Sequence, residues 1–380
     1  MEINRDFYLD KLIKAENNGL IKIVTGIRRC GKSYLLNHLF YNYLISKGID
    51  DEHIIKIALD SIENRELREP LTLFQFIKNS LKDSNKYYII LDEIQIVNGF
   101  VEVLNSLLRI ENVDVYVTGS NSRFLSSDIV TEFRGRGFEI KMYPLSFAEF
   151  MTFYQGTIAN GWKEYSLYGG LPIVAQINDV DGKTNYLVEQ KENAYVNDVL
   201  ERNNIKNDTE LRVLIEFISS NVGSLTNPNK LADTFLSTMN IKISNKTINA
   251  YLKYLEEAFL IEKARKYDIK GKKYIDSPSK YYFTDMGLRN SFVNYRQYDE
   301  GHLMENIIYI ELRKRGFSVD VGMIEARNNK EYKQLEVDFV ANKGDNKYYI
   351  QSALDISGEN VKVREQKSLL KINDYFKKFI

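Results

Sequence analysis

Short apolar blocks alternate with helical patterns over the first 150 residues. The blocks at 20–25, 54–59, 87–91 and 112–118 have the length and composition of buried strands. In the segments 7–15, 34–40 and 71–81, apolar residues recur every three or four positions, as in amphipathic helices. Alternating strands and helices predict a parallel sheet covered by helices. We therefore expect an α/β core over residues 1–150.

The pattern becomes helical beyond that core. Residues 151–205 are rich in tyrosine and read as helix, turn, helix, with the break at 168–172. Between 206 and 295, two further helical faces precede a helix at 246–259 that Ser244 is expected to cap. Two short strands follow, at 260–267 and 280–283. Three helices and a β-ribbon predict a winged helix.

The last segment, 296–380, predicts a small α/β domain. It begins with a helix at 303–315 that contains Glu305. Strands are predicted at 335–341, which contains Asp338, and at 347–351, which ends in Gln351. The predicted fold class is therefore a parallel-sheet α/β core, then a winged helix, then a small α/β domain.

One glycine-containing loop connects the first strand to the first core helix. GIRRCGKS, at 26–33, fits the pattern G-x-x-x-x-G-K-[ST] without mismatch. In such a loop the backbone N–H groups surround phosphate oxygens, the lysine reaches the β- and γ-phosphates, and the serine hydroxyl ligates Mg²⁺. The alternative is an ordinary glycine turn between a strand and a helix. We predict an ATP/ADP site with nine binding residues: Gly26, Ile27, Arg28, Arg29, Cys30, Gly31, Lys32, Ser33 and Tyr34.

An acidic pair ends the apolar block at 87–91. Asp92 at the carboxyl end of a parallel strand can hold Mg²⁺ together with Ser33, usually through waters of the ion, and Glu93 can orient and deprotonate the attacking water. A solvated strand end would also explain two acidic residues there. The loop and the pair together favour the catalytic interpretation, with Lys32 and Glu93 as catalytic residues.

Two further positions are weaker candidates. Asn121, or Ser120 beside it, follows the block at 112–118 and could hold the water or sense the γ-phosphate; a Gly-Ser-Asn turn is the alternative. Arg136 lies in FRGRG, at 133–137, and could neutralise transition-state charge in a neighbouring subunit. A solvated basic turn would explain Arg136 equally well.

Charge and cysteine content limit the partners. Lys and Arg number 52 and so do Asp and Glu, so no global charge favours nucleic acid or a membrane surface. The single cysteine, Cys30, rules out an intrachain disulfide and fits a reducing compartment. With no signal peptide before the first strand and no apolar run that could span a bilayer, we expect a soluble cytoplasmic protein.

A series of motifs gives a more specific resemblance. GIRRCGKS, YYIILDEIQ, VTGSNS, FRGRG, MYPLSFAEF, YGGLP and NDVLERNNI run from 26 to 205. The chain resembles prokaryotic AAA-type ATPases whose carboxyl-terminal part is a domain of unknown function (DUF4143) with a nuclease-like core. The resemblance implies ATP as substrate, a sensor strand inserted between the strands at 20–25 and 87–91, and a lid or connector at 151–205.

The carboxyl half offers two further hypotheses. Seven basic residues against two acidic ones at 263–280 give a local surplus that could contact DNA phosphates; winged helices also bind proteins, so both partners stay open. The segment 296–380 resembles restriction-endonuclease-like nucleases, in which a helix Glu, a strand Asp and a Glu/Gln-x-Lys bind metal and activate water. Glu305, Asp338 and Gln351 match three places, whereas Ala353 stands where the lysine belongs. The catalytic set is therefore incomplete.

The leading hypothesis is a Mg²⁺-dependent ATPase whose nucleotide state moves a winged helix and a nuclease-like module. A slow nucleotide switch that binds DNA or protein is one alternative, and an ATP-gated DNA nuclease is another. The chain could also assemble into oligomers.

Overall fold

The computed structural model describes residues 3–119, 135–328 and 331–380. They form two compact units. The first contains residues up to 145 together with 257–259, and the second contains 146–256 and 260–380. Within the described residues, no helix combines the length and apolarity needed to cross a bilayer.

A five-stranded parallel sheet forms the centre of the first unit. Its order is β2-β3-β4-β1-β5, and every neighbouring pair is parallel. β4 lies between β1 and β3, which confirms the inserted strand that the family resemblance implied. The strands are β1 (Ile21–Gly26), β2 (Ile54–Ala58), β3 (Tyr87–Asp92), β4 (Val113–Gly119) and β5 (Gly137–Met142).

Helices cover this sheet; those predicted at 7–15 and 71–81 are confirmed to within one residue, and the one predicted at 34–40 extends over 32–46. Every residue of β1, β3 and β4 is buried, which explains why these strands read as uninterrupted apolar blocks. The helices are α1 (Asp6–Ala15), α2 (32–46, with a π-helical stretch at Leu35–Phe40), α3 (Pro70–Ser80) and α4 (Phe100–Leu107). One face of β1, β3 and β4 packs with α3 and α4 into a core that contains Ile23, Leu73, Leu91, Leu104 and Val117.

The second unit begins with helices. The described helices of this unit are α5 (Phe147–Met151), α6 (Ile158–Tyr168), α7 (Pro172–Gln176), α8 (180–202), α9 (Asp208–Ser220), α10 (Pro228–Met239), α11 (Asn245–Glu257), α12 (Met286–Phe292), α13 (Glu300–Lys314) and α14 (Glu359–Leu369). The predicted cap of α11 is present, since the Ser244 hydroxyl oxygen accepts from the Thr247 amide at 3.0 Å.

A six-stranded sheet completes the second unit. Its order is β11-β10-β9-β8-β6-β7, and β6 joins the rest by pairing in parallel with β8. The predicted ribbon therefore belongs to the same sheet as the carboxyl-terminal strands. The strands are β6 (Ile261–Asp268), β7 (Lys273–Phe283), β8 (Ser318–Asn328), β9 (Glu331–Lys343), β10 (Asn346–Ile350) and β11 (Lys377–Phe379).

A tight turn explains the YGGLP motif. Gly169 ends α6 with φ +77°, and a Cβ there would lie 2.3 Å from a carboxylate oxygen of Asp285. That carboxylate accepts from the Gly170 amide at 2.7 Å and from the Leu288 amide at 3.0 Å. Asp285 thus caps α12 and fixes the turn after α6, so the position leaves no room for a side chain.

Candidate functional site

The loop between β1 and α2 requires glycine at both glycine positions of its motif. Gly26 has φ +142°, and a Cβ there would lie 2.1 Å from the Met142 carbonyl oxygen on β5. Gly31 has φ +101° and directly precedes α2. Only glycine fits at Gly26, where a side chain would collide with the Met142 carbonyl oxygen. Only glycine adopts the positive φ of Gly31 at little cost. The sequence pattern is therefore a steric requirement of this loop.

Lys32 is buried and held by the loop itself. Its Nζ donates to the carbonyl oxygens of Gly26 and Ile27, each at 3.0 Å. Lys32 lies at the first position of α2, where the helix dipole is positive. An ammonium group in this position can exchange carbonyl acceptors for phosphate oxygens, which is the role predicted for Lys32.

Ser33 and Asp92 meet across the carboxyl ends of β1 and β3. The Ser33 hydroxyl donates to Asp92 Oδ1 at 3.0 Å, and the Thr118 hydroxyl on β4 donates to the same oxygen. Burial raises the pKa of Asp92 above its ordinary value, and the two hydroxyl donors act in the opposite direction. The structure therefore brings together the two residues predicted to hold a metal.

This pair fits Mg²⁺. Hydroxyl and carboxylate oxygens are ligands that Mg²⁺ prefers. The hydrogen bond between Ser33 Oγ and Asp92 Oδ1 places both oxygens where they would hold one ion, either directly or through a water of the ion.

Glu93 lies directly beyond β3 in a left-handed backbone conformation, with φ +53°. Its amide donates to the Thr118 hydroxyl oxygen at 2.9 Å, and its carboxylate accepts from the side-chain amide of Gln95. Thr118 therefore contacts both acidic residues. The turn fixes Glu93 beside Asp92, with the carboxylate oriented by Gln95.

The other predicted residues have varied positions. Cys30 is buried, with Sγ 3.7 Å from the Met142 carbonyl oxygen, and Arg29 has φ +63°. The Tyr34 ring stacks on His38 with centroids 4.8 Å apart. Asn121, together with Ser120, lies outside the described residues, so its predicted role stays a prediction.

Arg136 lies away from the phosphate loop of its own chain. It precedes β5, and its carbonyl oxygen accepts from the amide of Ile21, the first residue of β1, at 2.9 Å. The loop follows the opposite, carboxyl end of β1. The exposed Arg136 guanidinium donates to Asn105 Oδ1 at 2.9 Å. Any catalytic role for Arg136 therefore requires a second chain.

Sequence reasoning missed three residues of this site. Thr118 and Gln95 contact the acidic pair, and Arg5 supports the loop from outside. The buried Arg5 guanidinium donates to the Cys30 carbonyl oxygen at 2.9 Å and to the Tyr143 carbonyl oxygen at 2.6 Å. Thr118 was detectable as the polar end of a buried strand, whereas an arginine before a surface helix gives no such signal.

Comparisons with known proteins identify the family. A family model described as "AAA domain" matches residues 18–151. A Haemophilus influenzae protein named "Uncharacterized protein" is 37% identical over 384 residues, which cover 100% of this chain and 92% of that protein. An uncharacterized protein of Methanocaldococcus jannaschii is 32% identical over 385 residues, 96% of this chain and 80% of that protein.

The chain belongs to this family of AAA-domain proteins. A second family model, "Domain of unknown function (DUF8612)", matches residues 159–299 of the AAA-domain protein. The DUF4143 domain that the resemblance implied for the carboxyl half is therefore not confirmed. A solved structure, the Walker-type ATPase PABY2304 of Pyrococcus abyssi, aligns at TM-score 0.52 with 15% identity, covering 77% of this chain and 96% of that one. At this identity the similarity concerns the P-loop ATPase fold alone.

A guanine-type motif occurs elsewhere in the AAA-domain protein. Residues 342–345 read Asn-Lys-Gly-Asp, the Asn-Lys-x-Asp pattern that reads guanine in GTPases. Here it forms the turn between β9 and β10, where Gly344 has φ +57° and Lys343 Nζ donates to the Arg315 carbonyl oxygen at 2.7 Å. ATP as the substrate therefore stays a prediction that rests on the family resemblance alone.

The second unit contains a cluster of three carboxylates and a lysine, in which Glu305, Asp338 and Lys280 are buried and Glu336 is partly exposed. Lys280 Nζ on β7 lies 2.8 Å from Glu305 Oε1 on α13 and 2.7 Å from Glu336 Oε1 on β9. Tyr282 also donates to Glu305 Oε1, at 2.6 Å. Burial and the neighbouring Glu305 raise the pKa of Asp338 to about 7, and Lys280 opposes this rise. The structure thus brings Glu305 and Asp338 together.

The residues after β10 add one backbone contact to this cluster, and the contact that the Gln351 side chain makes lies outside it. The Ser352 amide donates to Asp338 Oδ2 at 2.7 Å, and Gln351 Oε1 accepts from the Ser368 hydroxyl at 3.4 Å. Ala353 contributes no charge. The lysine found here, Lys280, was predicted on a phosphate-contacting surface and instead lies buried, which corrects that expectation. Lys280 and Tyr282 are two residues apart on β7 and so share one face of the strand. This pairing with an aromatic residue was the sequence signal that could have indicated burial of Lys280.

Proposed function

We propose that this AAA-domain protein binds and hydrolyses ATP with Mg²⁺, and that its nucleotide state controls the carboxyl-terminal unit. The observation that carries the proposal is the 3.0 Å contact between Ser33 Oγ and Asp92 Oδ1. It joins the end of the phosphate loop to the acidic strand end, and both oxygens are of the kind that binds Mg²⁺.

Each residue then has a defined role. Backbone N–H groups of the loop and the Lys32 ammonium bind the phosphates, and Ser33 and Asp92 hold the ion. An ion held by Ser33 and Asp92 would supply positive charge to the bound phosphates. Glu93, oriented by Gln95, accepts a proton from the attacking water. We keep Asn121 as the residue that positions this water and Arg136 as a residue supplied to the site of a neighbouring subunit.

Two substitutions test the proposal. Lys32→Ala removes a charge from the phosphates, so we expect the dissociation constant for ATP to rise by about 100-fold or more. Glu93→Gln keeps the shape but removes the base, so we expect kcat to fall about 10²- to 10⁴-fold with ATP still bound. Isothermal titration and steady-state phosphate release measure the two effects. Turnover at the normal rate by the Glu93→Gln protein would exclude Glu93 from the mechanism.

We propose that the carboxyl half is the part of the chain that responds to the nucleotide state. We divide it into a lid or connector at 151–205, a winged helix at 206–295 and a nuclease-like domain at 296–380, after the core at 1–150. The order α9, α10, α11, β6, β7 supports the winged helix. The convergence of Glu305 and Asp338 supports the nuclease-like domain.

DNA is one candidate partner of this half. Of the seven basic residues at 263–280, Lys266 and Lys280 are buried, so the exposed positive charge is smaller than the sequence suggested. Five remain exposed around the β6–β7 hairpin: Lys263, Arg265, Lys270, Lys272 and Lys273. Phosphate release with and without duplex DNA at two salt concentrations tests this partner. Phosphate release that DNA stimulates at low salt but not at high salt supports DNA as the partner. A rate of phosphate release that DNA does not change favours a protein partner.

A further inference from the structure

The acidic cluster of the second unit raises a question that the ATPase proposal does not address. The nuclease resemblance implies a divalent metal held by Glu305, Asp338 and the residues after β10. A metal site of that kind requires carboxylate oxygens that converge on an open position. Among the described residues, no group of three or more histidine, cysteine or acidic side chains has an arrangement that could hold a metal ion. The residues present therefore do not fit the implied metal.

An ammonium group takes the position between the carboxylates instead. Lys280 Nζ makes contacts of 2.8 Å and 2.7 Å with oxygens of Glu305 and Glu336, which come from α13 and β9. The lysine side chain is 4% exposed, so this charge is part of the interior. A divalent ion at the same oxygens would meet the ammonium group directly, and the two cations would repel each other.

Neighbouring groups hold the lysine arrangement in place. The Tyr282 hydroxyl shares Glu305 Oε1 with Lys280, and the Ser352 amide engages Asp338 Oδ2. His302 Nδ1 lies 3.9 Å from the second oxygen of Glu305, on the exposed side of the cluster. One oxygen of each of Glu305, Glu336 and Asp338 is thus already paired with a cation or a hydrogen-bond donor of the protein.

We propose that Lys280 is the resident cation of this cluster: it replaces the divalent metal of a nuclease-like site, so that the unit is built to be metal-free. Lys280 pairs with Glu305 and Glu336 at the position that the ion would need. This inference is independent of ATP hydrolysis by the first unit.

In the first test, Mn²⁺ is titrated into the full chain without nucleotide, and binding is measured by isothermal titration calorimetry. We expect wild-type protein and Glu305→Gln protein to give the same titration. Asp92→Asn is the matched control, since any Mn²⁺ held near Ser33 would be lost in that variant alone. Mn²⁺ binding in the wild type that disappears with Glu305→Gln would overturn the proposal, and this arm requires no Lys280 variant to fold.

The second test replaces the lysine. Lys280→Ala should unfold at a lower temperature, and millimolar Mn²⁺ should raise that temperature again, whereas Na⁺ at equal ionic strength should not. Lys280→Arg keeps a cation and should not respond to Mn²⁺. Adding Glu336→Gln to Lys280→Ala should abolish the response. A folded Lys280→Ala protein that Mn²⁺ does not stabilise contradicts the proposal, as does Mn²⁺-dependent plasmid cleavage that is lost in Lys280→Ala and Asp338→Ala.

Discussion

At the scale of single residues, the polar contacts around Glu93 fix its side chain and its backbone separately. The left-handed turn at φ +53° is held by the Thr118 hydroxyl, and the carboxylate is held by the Gln95 amide. A non-glycine residue with positive φ has a conformational cost that the surrounding contacts must offset. Strain of this kind beside Asp92 is consistent with an acidic side chain aimed at a reaction.

Gln95→Ala should lower kcat and leave KM nearly unchanged. The substitution removes one hydrogen bond to a charged group, worth about 1.5–3 kcal/mol, and this bond orients Glu93 without contacting substrate. We expect kcat to fall about tenfold and KM to change less than about twofold. Phosphate release across ATP concentrations separates the two. In a double variant with Glu93→Gln, a further loss of equal size would show that Gln95 does not act through Glu93.

A buried carboxylate should make stability depend on pH. Burial raises the pKa of Asp285 from 3.8 to about 6, although backbone amides including that of Gly170 oppose the rise. A raised folded-state pKa adds stability below pH 3.8, and this stability is lost as the pH rises through about 6. Asp285→Asn should therefore weaken the pH dependence of the free energy of unfolding between these pH values, as measured by urea denaturation. An unchanged slope would assign the pH dependence to other groups.

Single residues also show where sequence reasoning stops. The loop glycines and Asp92 were predictable because their roles follow from steric and ligand chemistry that a short motif encodes. The burial of Lys280 was not predictable, because a lysine on a strand usually points to water. Only the fold of the second unit brings Glu305 and Glu336 to its ammonium group.

At the scale of elements, the strands of the first unit were easier to predict than those of the second. β1, β3 and β4 are buried on both faces, so their apolar residues are nearly consecutive. β8 was not predicted, because Asp320, Gly322 and Glu325 interrupt its apolar pattern. Asp320 is nevertheless buried and accepts from the Tyr274 hydroxyl at 3.1 Å. A tertiary contact therefore satisfies a charge that local reasoning assigns to the surface.

One ion pair joins the central strands of the first sheet. Lys22 on β1 contacts Asp114 on β4, with both side chains buried, and burial lowers the pKa of Lys22 while Asp114 opposes this. The Tyr116 hydroxyl also donates to Asp114, at 2.7 Å. Asp114→Ala should lower the free energy of unfolding by about 3–5 kcal/mol, since it leaves a buried charge unpaired.

Combining Asp114→Ala with Lys22→Met should recover part of this loss, because the second change removes the unpaired charge. Urea denaturation of the wild type, both single variants and the double variant gives the coupling energy. ATP affinity of the folded variants is the control, since neither residue lies in the phosphate loop. Additive losses would mean that the two side chains do not interact in solution.

At the scale of the whole molecule, the chain connects the two units repeatedly. It passes from one to the other after residues 145, 256 and 259. A change in the first unit therefore has several covalent routes to the second, although a route alone does not establish coupling. The nucleotide can shift the second unit only if its states differ in affinity for the nucleotide.

Hydrogen exchange of the full-length chain tests this coupling directly. Glu93→Gln should hold ATP without hydrolysis, so ATP should change amide protection in the loop at 26–33 and also in residues beyond 145. Lys32→Ala is the matched control, because it should not bind ATP and should show neither change at the same concentration. Protection that changes only within the first unit would leave nucleotide binding intact but rule out the carboxyl-terminal unit as its output.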